Sequence, residues 1–235
     1  MNMKIREEDS VYAFIQARFN SKRLDGKALK PLLGKALLEW SVERAKSIHP
    51  RVKVAVLTGD RIENMTIIDW CRKRNILYFK GEEEDVLNRF NKAALEFKAK
   101  VVIRLTADNP LFDYRNIVNL LALHFSEKAD YSTSKSEAGS GLPDGIGAEI
   151  FSASALSRLD SMRLSASHRE HINDYILENK QEFKNYILRI SQDYSGYRFT
   201  IDTTEDFERI QDWMRTIFPG KVSESDYWKK VVRGL

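Results

Sequence analysis

The sequence predicts an α/β protein: a mostly parallel, twisted sheet with helices on both faces. In the first half of the chain, apolar runs of strand length alternate with amphipathic stretches of helical spacing, a βαβα rhythm. The apolar run at 11–17 ends abruptly in a loop carrying Arg18, Lys22, Arg23, Lys27 and Lys30, with Ser21 and Gly26 between the charges. A cationic loop at the carboxyl end of a first strand is where an open α/β sheet binds its ligand. The 235 residues suffice for a full core, and one domain with an insertion is the simplest reading.

Element by element, 11–17 reads as strand and 35–47 as helix, with Leu37, Leu38, Val42 and Ala45 near helical spacing. Residues 52–57 form a second strand and 62–73 a helix; 76–80 is a short strand and 85–97 a helix. Residues 101–106 are strand, broken at Asp108-Asn109-Pro110, and 113–125 are helical. In the second half, 129–133, 146–151 and 186–190 read as strands and 167–179 as an amphipathic helix. Residues 134–143, rich in Ser, Gly, Glu and Lys, read as an exposed, mobile loop. Residues 197–201 read as a final strand. The helix 203–214 follows it, with an N-cap and an acidic first turn at Thr203-Thr204-Glu205-Asp206. The segment 223–235 is amphipathic and suits a core edge or a partner subunit.

Composition narrows the function. Apolar residues make up 43% and charged residues 31%, an ordinary globular mix that does not suggest disorder. A net charge of +4 permits an anionic small ligand but is mild for a nucleic-acid binder. Cys71 is the only cysteine, so no intrachain disulfide can form, and its apolar helical setting reads as core. The first ten residues carry no hydrophobic signal region, and no apolar run is long enough to span a bilayer. The expected location is the cytoplasm, without a membrane or nucleic-acid partner.

Three segments carry chemistry. Guanidinium forks in the basic loop suit phosphate oxygens, a lysine adds a point charge, and Gly26 lets the backbone pass close to a polyphosphate. A solvated surface loop is an equal reading of the same charges. In Arg104-Leu-Thr-Ala-Asp108-Asn-Pro110, a carboxylate leaves a buried strand end, where it could hold Mg²⁺ against a triphosphate. Taken alone, Asp108 reads as the start of a turn. Asp202 repeats the pattern after 197–201, so two aspartates on neighbouring strand ends could share one ion; a helix cap is the alternative. His168 and His171 lack a third nearby ligand, so no zinc site is expected.

These segments occur together, in this order, in a known family. The chain resembles the cytidylyltransferases that make CMP-activated sugars, the spore-coat polysaccharide SpsF-like branch above all and the CMP-Kdo synthetases more distantly. The matching stretches are IQARFNSKRLDGKALKPL (15–32), GEEEDVLNRF (81–90), RLTADNPL (104–111), DGIGAEIF (144–151), SHREHI (167–172) and RFTIDTTEDFERI (198–210). The resemblance implies the nucleotide-diphospho-sugar transferase (GT-A-like) fold, a three-layer α/β/α sandwich with a mostly parallel mixed sheet. It implies CMP transfer from CTP to a sugar or sugar acid with release of pyrophosphate, Mg²⁺ as cofactor, and a homodimer. Arg18, Ser21, Arg23 and Lys27 match the triphosphate loop, and Asp108 and Asp202 the magnesium ligands. Thr58, Asp85 and Arg89 fall where the family contacts base and ribose. Arg104, Asp144, Glu149, Arg169, Glu170 and His171 fall on the sugar side.

Three positions depart from the pattern: Asp25 stands for the usual Pro, Ala107 for Gly, and Gly147 for Asp. A glycosyltransferase of the same fold is disfavoured, because Asp108-Asn109-Pro110 replaces the Asp-x-Asp such enzymes carry. A degenerate nucleotide-binding homologue draws support from Asp25 and Gly147, but both aspartates and the three key cations remain.

Overall fold

A seven-stranded sheet runs through the molecule in the order β5-β4-β1-β6-β8-β7-β9 in this computed structural model, which describes residues 5–21, 23–216 and 227–234. The four strands expected in the first half form its parallel core: β1 (Val11–Gln16), β4 (Lys53–Gly59), β5 (Leu77–Gly81) and β6 (Val101–Thr106). Beyond β6, β8 (Glu149–Ser152) is antiparallel to both its neighbours, β6 and β7 (Tyr131–Thr133), and β9 (Asn185–Ile187) pairs parallel to β7. A small hairpin, β2 (Pro31–Leu32) with β3 (Lys35–Ala36), stands apart from the sheet.

β1 shows why the core is a three-layer sandwich. Val11, Ala13 and Ile15 join one apolar cluster and Tyr12 and Phe14 the other, so alternate side chains are buried on opposite faces. The first face is covered by α1 (Leu37–Lys46), α2 (Met65–Lys73) and α4 (Tyr114–Glu127) through Leu38, Val42, Ile67, Cys71, Ile117 and Leu121. The second is covered by α3 (Val86–Glu96) and α5 (Ala153–Asp160) through Leu87, Phe90, Ala94, Leu156 and Leu159. Cys71 is fully buried as expected, and burial pushes its thiol up to about 12. A third cluster joins Leu24, Leu32, Leu37 and Phe199 to α8 (Thr204–Thr216) and α9 (Trp228–Gly234). Of the C-terminal segment, Tyr227, Trp228 and Val231 close that cluster; 223–226 and 235, like Lys22, lie outside the described residues.

Several second-half expectations are corrected. Residues 197–201 are not a ladder strand: a single bridge, Arg198 with Asp144, is their one sheet-like pairing. The strand expected at 146–151 begins only at Glu149. Residues 134–143 are not an exposed loop: Ser134, Ser140 and Leu142 are buried, and Ser134 bonds through its backbone and hydroxyl to Ala148. The helix expected at 167–179 is two, α6 (Ala166–Glu170) and α7 (Asp174–Glu178). The chain leaves the helix at His171 (ψ 77°) and turns Ile172 and Asn173 inward. The sequence reading did not anticipate α5 or the β2–β3 hairpin. Among the described residues no helix is long and apolar enough to cross a membrane.

Candidate active site

The strand order reverses between β1 and β6, with β4 and β5 on one side of β1 and β6 on the other. The carboxyl ends of these strands therefore flank a crevice. A cavity of about 360 Å³ opens there. It gathers Arg18, Ser21, Arg23, Lys27, Arg89, Arg104, Asp108, Glu170, His171 and Asp202, ten of the residues singled out from sequence.

The basic loop leaves β1 and folds back on itself. The Gly26 N–H donates to the Phe19 carbonyl at 3.1 Å, and Gly26 adopts φ +62°, a backbone conformation that favours glycine. The Phe19 N–H donates to Asn64 Oδ1 at 2.8 Å, which ties the loop to the segment after β4. Asn64 is buried and its amide also donates to Glu83 Oε2 at 2.7 Å, on the cavity rim. No motif marks Asn64, and only the fold reveals it. Lys27 begins a single 3₁₀ turn, Lys27–Leu29, that points its ammonium into the crevice.

The Lys27 ammonium draws the two aspartates together. It donates to Asp108 Oδ2, Asp202 Oδ1 and the Ile201 carbonyl, each at 3.0 Å. Burial alone would raise the Asp108 carboxyl, but the Lys27 charge and its hydrogen bonding outweigh this and hold the group below the usual carboxylate range. The two carboxylates arrive by different routes. Asp108 follows the end of β6. Asp202 ends the extended segment 198–201, which is tied down where the Ile201 N–H donates to the Asp108 carbonyl at 2.9 Å. The side chain of Asp202 is further paired with Arg23 (3.2 Å) and Arg198 (2.6 Å).

At the other end of the cavity, Arg89 is buried and donates to the Glu82 and Glu83 carbonyls. Burial pulls its guanidinium down, and the Glu83 charge opposes that. Arg104 donates to Glu149 Oε2 at 2.6 Å, and Glu149 also accepts from the Tyr131 hydroxyl at 2.7 Å. The buried polar atoms of cavity residues without a hydrogen-bond partner include Gln16 Oε1, Arg89 Nε and Arg104 Nε. They are suited to bind a polar ligand, since buried polar groups are otherwise paired.

Five of the residues named from sequence do not line the cavity. Thr58 is buried within β4. Glu149 is 1% exposed and reaches the cavity only through Arg104. Asp85 caps α3 by accepting from the Asn88 N–H, and its other oxygen receives Arg169 Nε at 2.6 Å. Arg169 also binds Asp160, so this network fastens α6 to α3 and α5 and sets Glu170 and His171 on the wall. Asp144 accepts from the Thr200 hydroxyl and pairs with Arg198. Gly147 has a packing reason. A Cβ there would lie 2.0 Å from the Ser134 carbonyl oxygen, so the 134–135 backbone occupies the space a side chain would need.

A divalent cation fits the donor set at Asp108 and Asp202. Two carboxylates that already converge on one ammonium offer hard oxygen ligands, and Mg²⁺ commonly takes one or two carboxylates plus substrate phosphates and waters. Among the described residues no cluster of three or more His, Cys, Asp or Glu could hold a metal ion by itself, and His168 pairs instead with Glu178.

A three-layer sandwich with this cationic, carboxylate-bearing crevice is the framework of a nucleotidyltransferase. Residues 12–223 match the cytidylyltransferase family model, and the chain belongs to that family. It is 32% identical to the spore coat polysaccharide biosynthesis protein SpsF of Bacillus subtilis strain 168, over 86% of this chain and 85% of that protein. It superposes on a cytidylyltransferase from Leptospira borgpetersenii serovar Hardjo-bovis with a TM-score of 0.87, 29% identity and coverage of 96% and 94%. A CMP-Kdo synthetase solved with CTP shares the fold at a TM-score of 0.63 and 17% identity, covering 87% of this chain and 98% of that one.

Proposed function

We propose that the enzyme transfers CMP from CTP to a sugar or sugar acid, releasing pyrophosphate, in the synthesis of a surface polysaccharide or glycoconjugate. The observation that supports this best is the convergence of Lys27, Arg23, Asp108 and Asp202 at the switch point of the sheet. The relatives provide the chemistry: the SpsF protein is named for spore-coat polysaccharide biosynthesis, and the CMP-Kdo synthetase was solved with CTP. In this reading the acceptor oxygen bonds to the α-phosphorus in line. The bond from that phosphorus to the bridging oxygen of the β-phosphate breaks, and pyrophosphate leaves.

Arg18, Ser21, Arg23 and Lys27 bind the triphosphate and neutralise charge on the leaving group, which is the main protein contribution to transfers of this kind. Asp108 and Asp202 would hold Mg²⁺, which would supply charge neutralisation at the α-phosphate. Lys27 bridges the two carboxylates that would hold the cation, and its ammonium would serve phosphate oxygens when a metal takes that place. Arg89 and Gln16 offer their unpaired atoms to the nucleotide. Arg104, Glu170 and His171 face the acceptor. The whole chain acts as one nucleotidyltransferase domain, in the cytoplasm, and dimerises through its second half.

The test measures pyrophosphate release from CTP, UTP, GTP and ATP with Mg²⁺ and a panel of sugars and sugar acids, beside a thermal-shift series with the same nucleotides. CTP should give both the release and the largest rise in melting temperature. Binding of CTP without release for any acceptor would leave a nucleotide-binding protein instead.

A further inference from the structure

Asp202 poses a positional problem that Asp108 does not. Its preceding segment has one bridge, to Asp144, and one further main-chain bond, from the Ile201 N–H to the Asp108 carbonyl, in place of a strand ladder, yet its carboxylate must meet that of Asp108 with ångström accuracy. The bridge depends on a close approach: a Cβ on Gly145, at φ +84°, would lie 2.8 Å from the Thr200 nitrogen. This brings Asp144 beside Arg198 and leaves the direction of the Asp202 side chain to other contacts.

Those contacts converge on Arg198. Its Nη2 donates to Asp202 Oδ2 at 2.6 Å, its Nη1 donates to both oxygens of Asp206 at 3.0 Å, and its Nε lies 3.4 Å from Asp144 Oδ2. Asp206 is itself fixed. It is buried, and its Oδ2 accepts from the Asp202 and Thr203 N–H groups at 3.0 and 3.2 Å, while Arg209 donates to Oδ1. One carboxylate at the start of α8 therefore holds both the backbone of Asp202 and, through Arg198, its side chain. The result is an asymmetric ligand: Oδ2 is taken by the Arg198 guanidinium, and Oδ1 faces Lys27, Arg23 and Asp108 in the crevice.

We propose that Arg198, anchored by Asp206 and Asp144, is a positioning residue that presents Asp202 to the metal through Oδ1 alone. Only a planar fork can bond two carboxylates at once in this geometry, so a lysine at 198 cannot replace it. Partners of metal ligands of this kind are commonly worth about 10–100-fold in metal affinity. The proposal rests on the assignment of Asp108 and Asp202 as metal ligands.

Mn²⁺ is the probe, titrated into the full chain with CTP and no acceptor and followed by electron paramagnetic resonance, for wild type, R198K, R198M, D206N and D202N. Thermal melts confirm that each variant is folded. R198M and D206N should bind Mn²⁺ about tenfold more weakly. R198K should keep a melting temperature near wild type, because it keeps the charge, yet bind Mn²⁺ as weakly as R198M. In turnover, the Mn²⁺ requirement should rise while the KM for CTP at saturating Mn²⁺ stays within about twofold, since no phosphate contact is touched. Wild-type Mn²⁺ affinity in folded R198K, with D202N weakened, overturns the positioning role and leaves the metal site standing. Wild-type affinity in D202N removes the metal reading itself, and this proposal with it.

Discussion

The two walls of the cavity are built by different means. Asp108 follows strand β6, whose main-chain ladder with β1 runs from Val11–Val101 to Gln16–Thr106, and Lys27 is carried by the short loop that leaves β1. Asp202 and Asp144 sit on segments joined by one bridge and are aimed by guanidinium forks. A strand ladder fixes position through many backbone bonds, so a side chain at its end needs little else. Irregular backbone transfers that task to side-chain pairs, each of which one substitution can break. The first wall should therefore respond to mutation in chemistry with little loss of stability, and the second in both.

The largest effect expected is at the junction of the walls. Asp108→Asn removes charge from a carboxylate that accepts from Lys27. Losing one electrostatic partner of a transition state costs about 10²–10³ in rate, so kcat for pyrophosphate release should fall by at least that much while the melting temperature barely moves. Full turnover with Mg²⁺ would remove Asp108 from the mechanism.

Glu149 tests the sheet beneath the cavity, on β8 beside β6. It is buried against Arg104 (2.6 Å), with Lys135 at 3.7 Å. Breaking a buried pair by removing one partner costs about 3–5 kcal/mol. Glu149→Gln keeps hydrogen-bonding capacity, so the loss should lie near 3 kcal/mol by urea denaturation. Burial alone would raise this carboxyl, but Lys135 and Arg104 outweigh it and hold the folded value below the ordinary 4.5. The unfolded chain thus takes up the proton first as pH falls. This contribution is complete above the unfolded value and is lost as pH drops through the folded one. The urea midpoint of wild type should fall below about pH 4, near the unperturbed glutamate value, and E149Q should flatten that part of the curve. Superimposable pH profiles would show that Glu149 carries none of it.

Gly147→Ala probes the backbone just before β8. The added methyl meets a main-chain oxygen at 2.0 Å, which no rotamer change relieves. Overpacking of this sort costs about 1–3 kcal/mol, and the displaced 134–135 segment should raise the KM for the acceptor more than that for CTP. An alanine variant with wild-type stability would show that the loop gives way freely.

Legibility in the sequence follows the same division. Asp108 and the basic loop each had a bland reading of their own, a turn before Pro110 and a solvated surface loop, and became candidates through the order of the segments in the resembled family; the strand ends that carry them were legible because a buried apolar run and a proline are local signals. Asp202 was located by its motif, but its support was misread, because an apolar run of strand length does not reveal that the segment makes one bridge and a few main-chain bonds instead of a strand ladder. Arg198 lies four residues before Asp202 and carried no signal of its own in a chain with 38 Lys and Arg. The break at His171 was hidden because the amphipathic pattern continues across it. Glu149 and Arg104 face each other across the antiparallel pair β6–β8, and that register cannot be read along the chain.

The smallest effect expected is at Asp25, which departs from the proline of the pattern the chain resembles. A carboxylate beside Lys27 suggests, from sequence, either weakened triphosphate binding or an ion pair. Asp25 is exposed, pairs with no cation among the described residues, and accepts from the Gly26 N–H at 3.0 Å, so its visible task is to hold the turn. Asp25→Asn keeps that oxygen and removes only a solvated charge. Surface changes of this kind stay within about 0.5 kcal/mol, or roughly twofold in the KM for CTP. Because the residual term is long-range electrostatics, the KM should fall slightly at low salt, and the difference should vanish near 1 M, where the screening length is about 3 Å. A tenfold change that survives high salt would put Asp25 in contact with the triphosphate, and the turn it holds would then be part of the site.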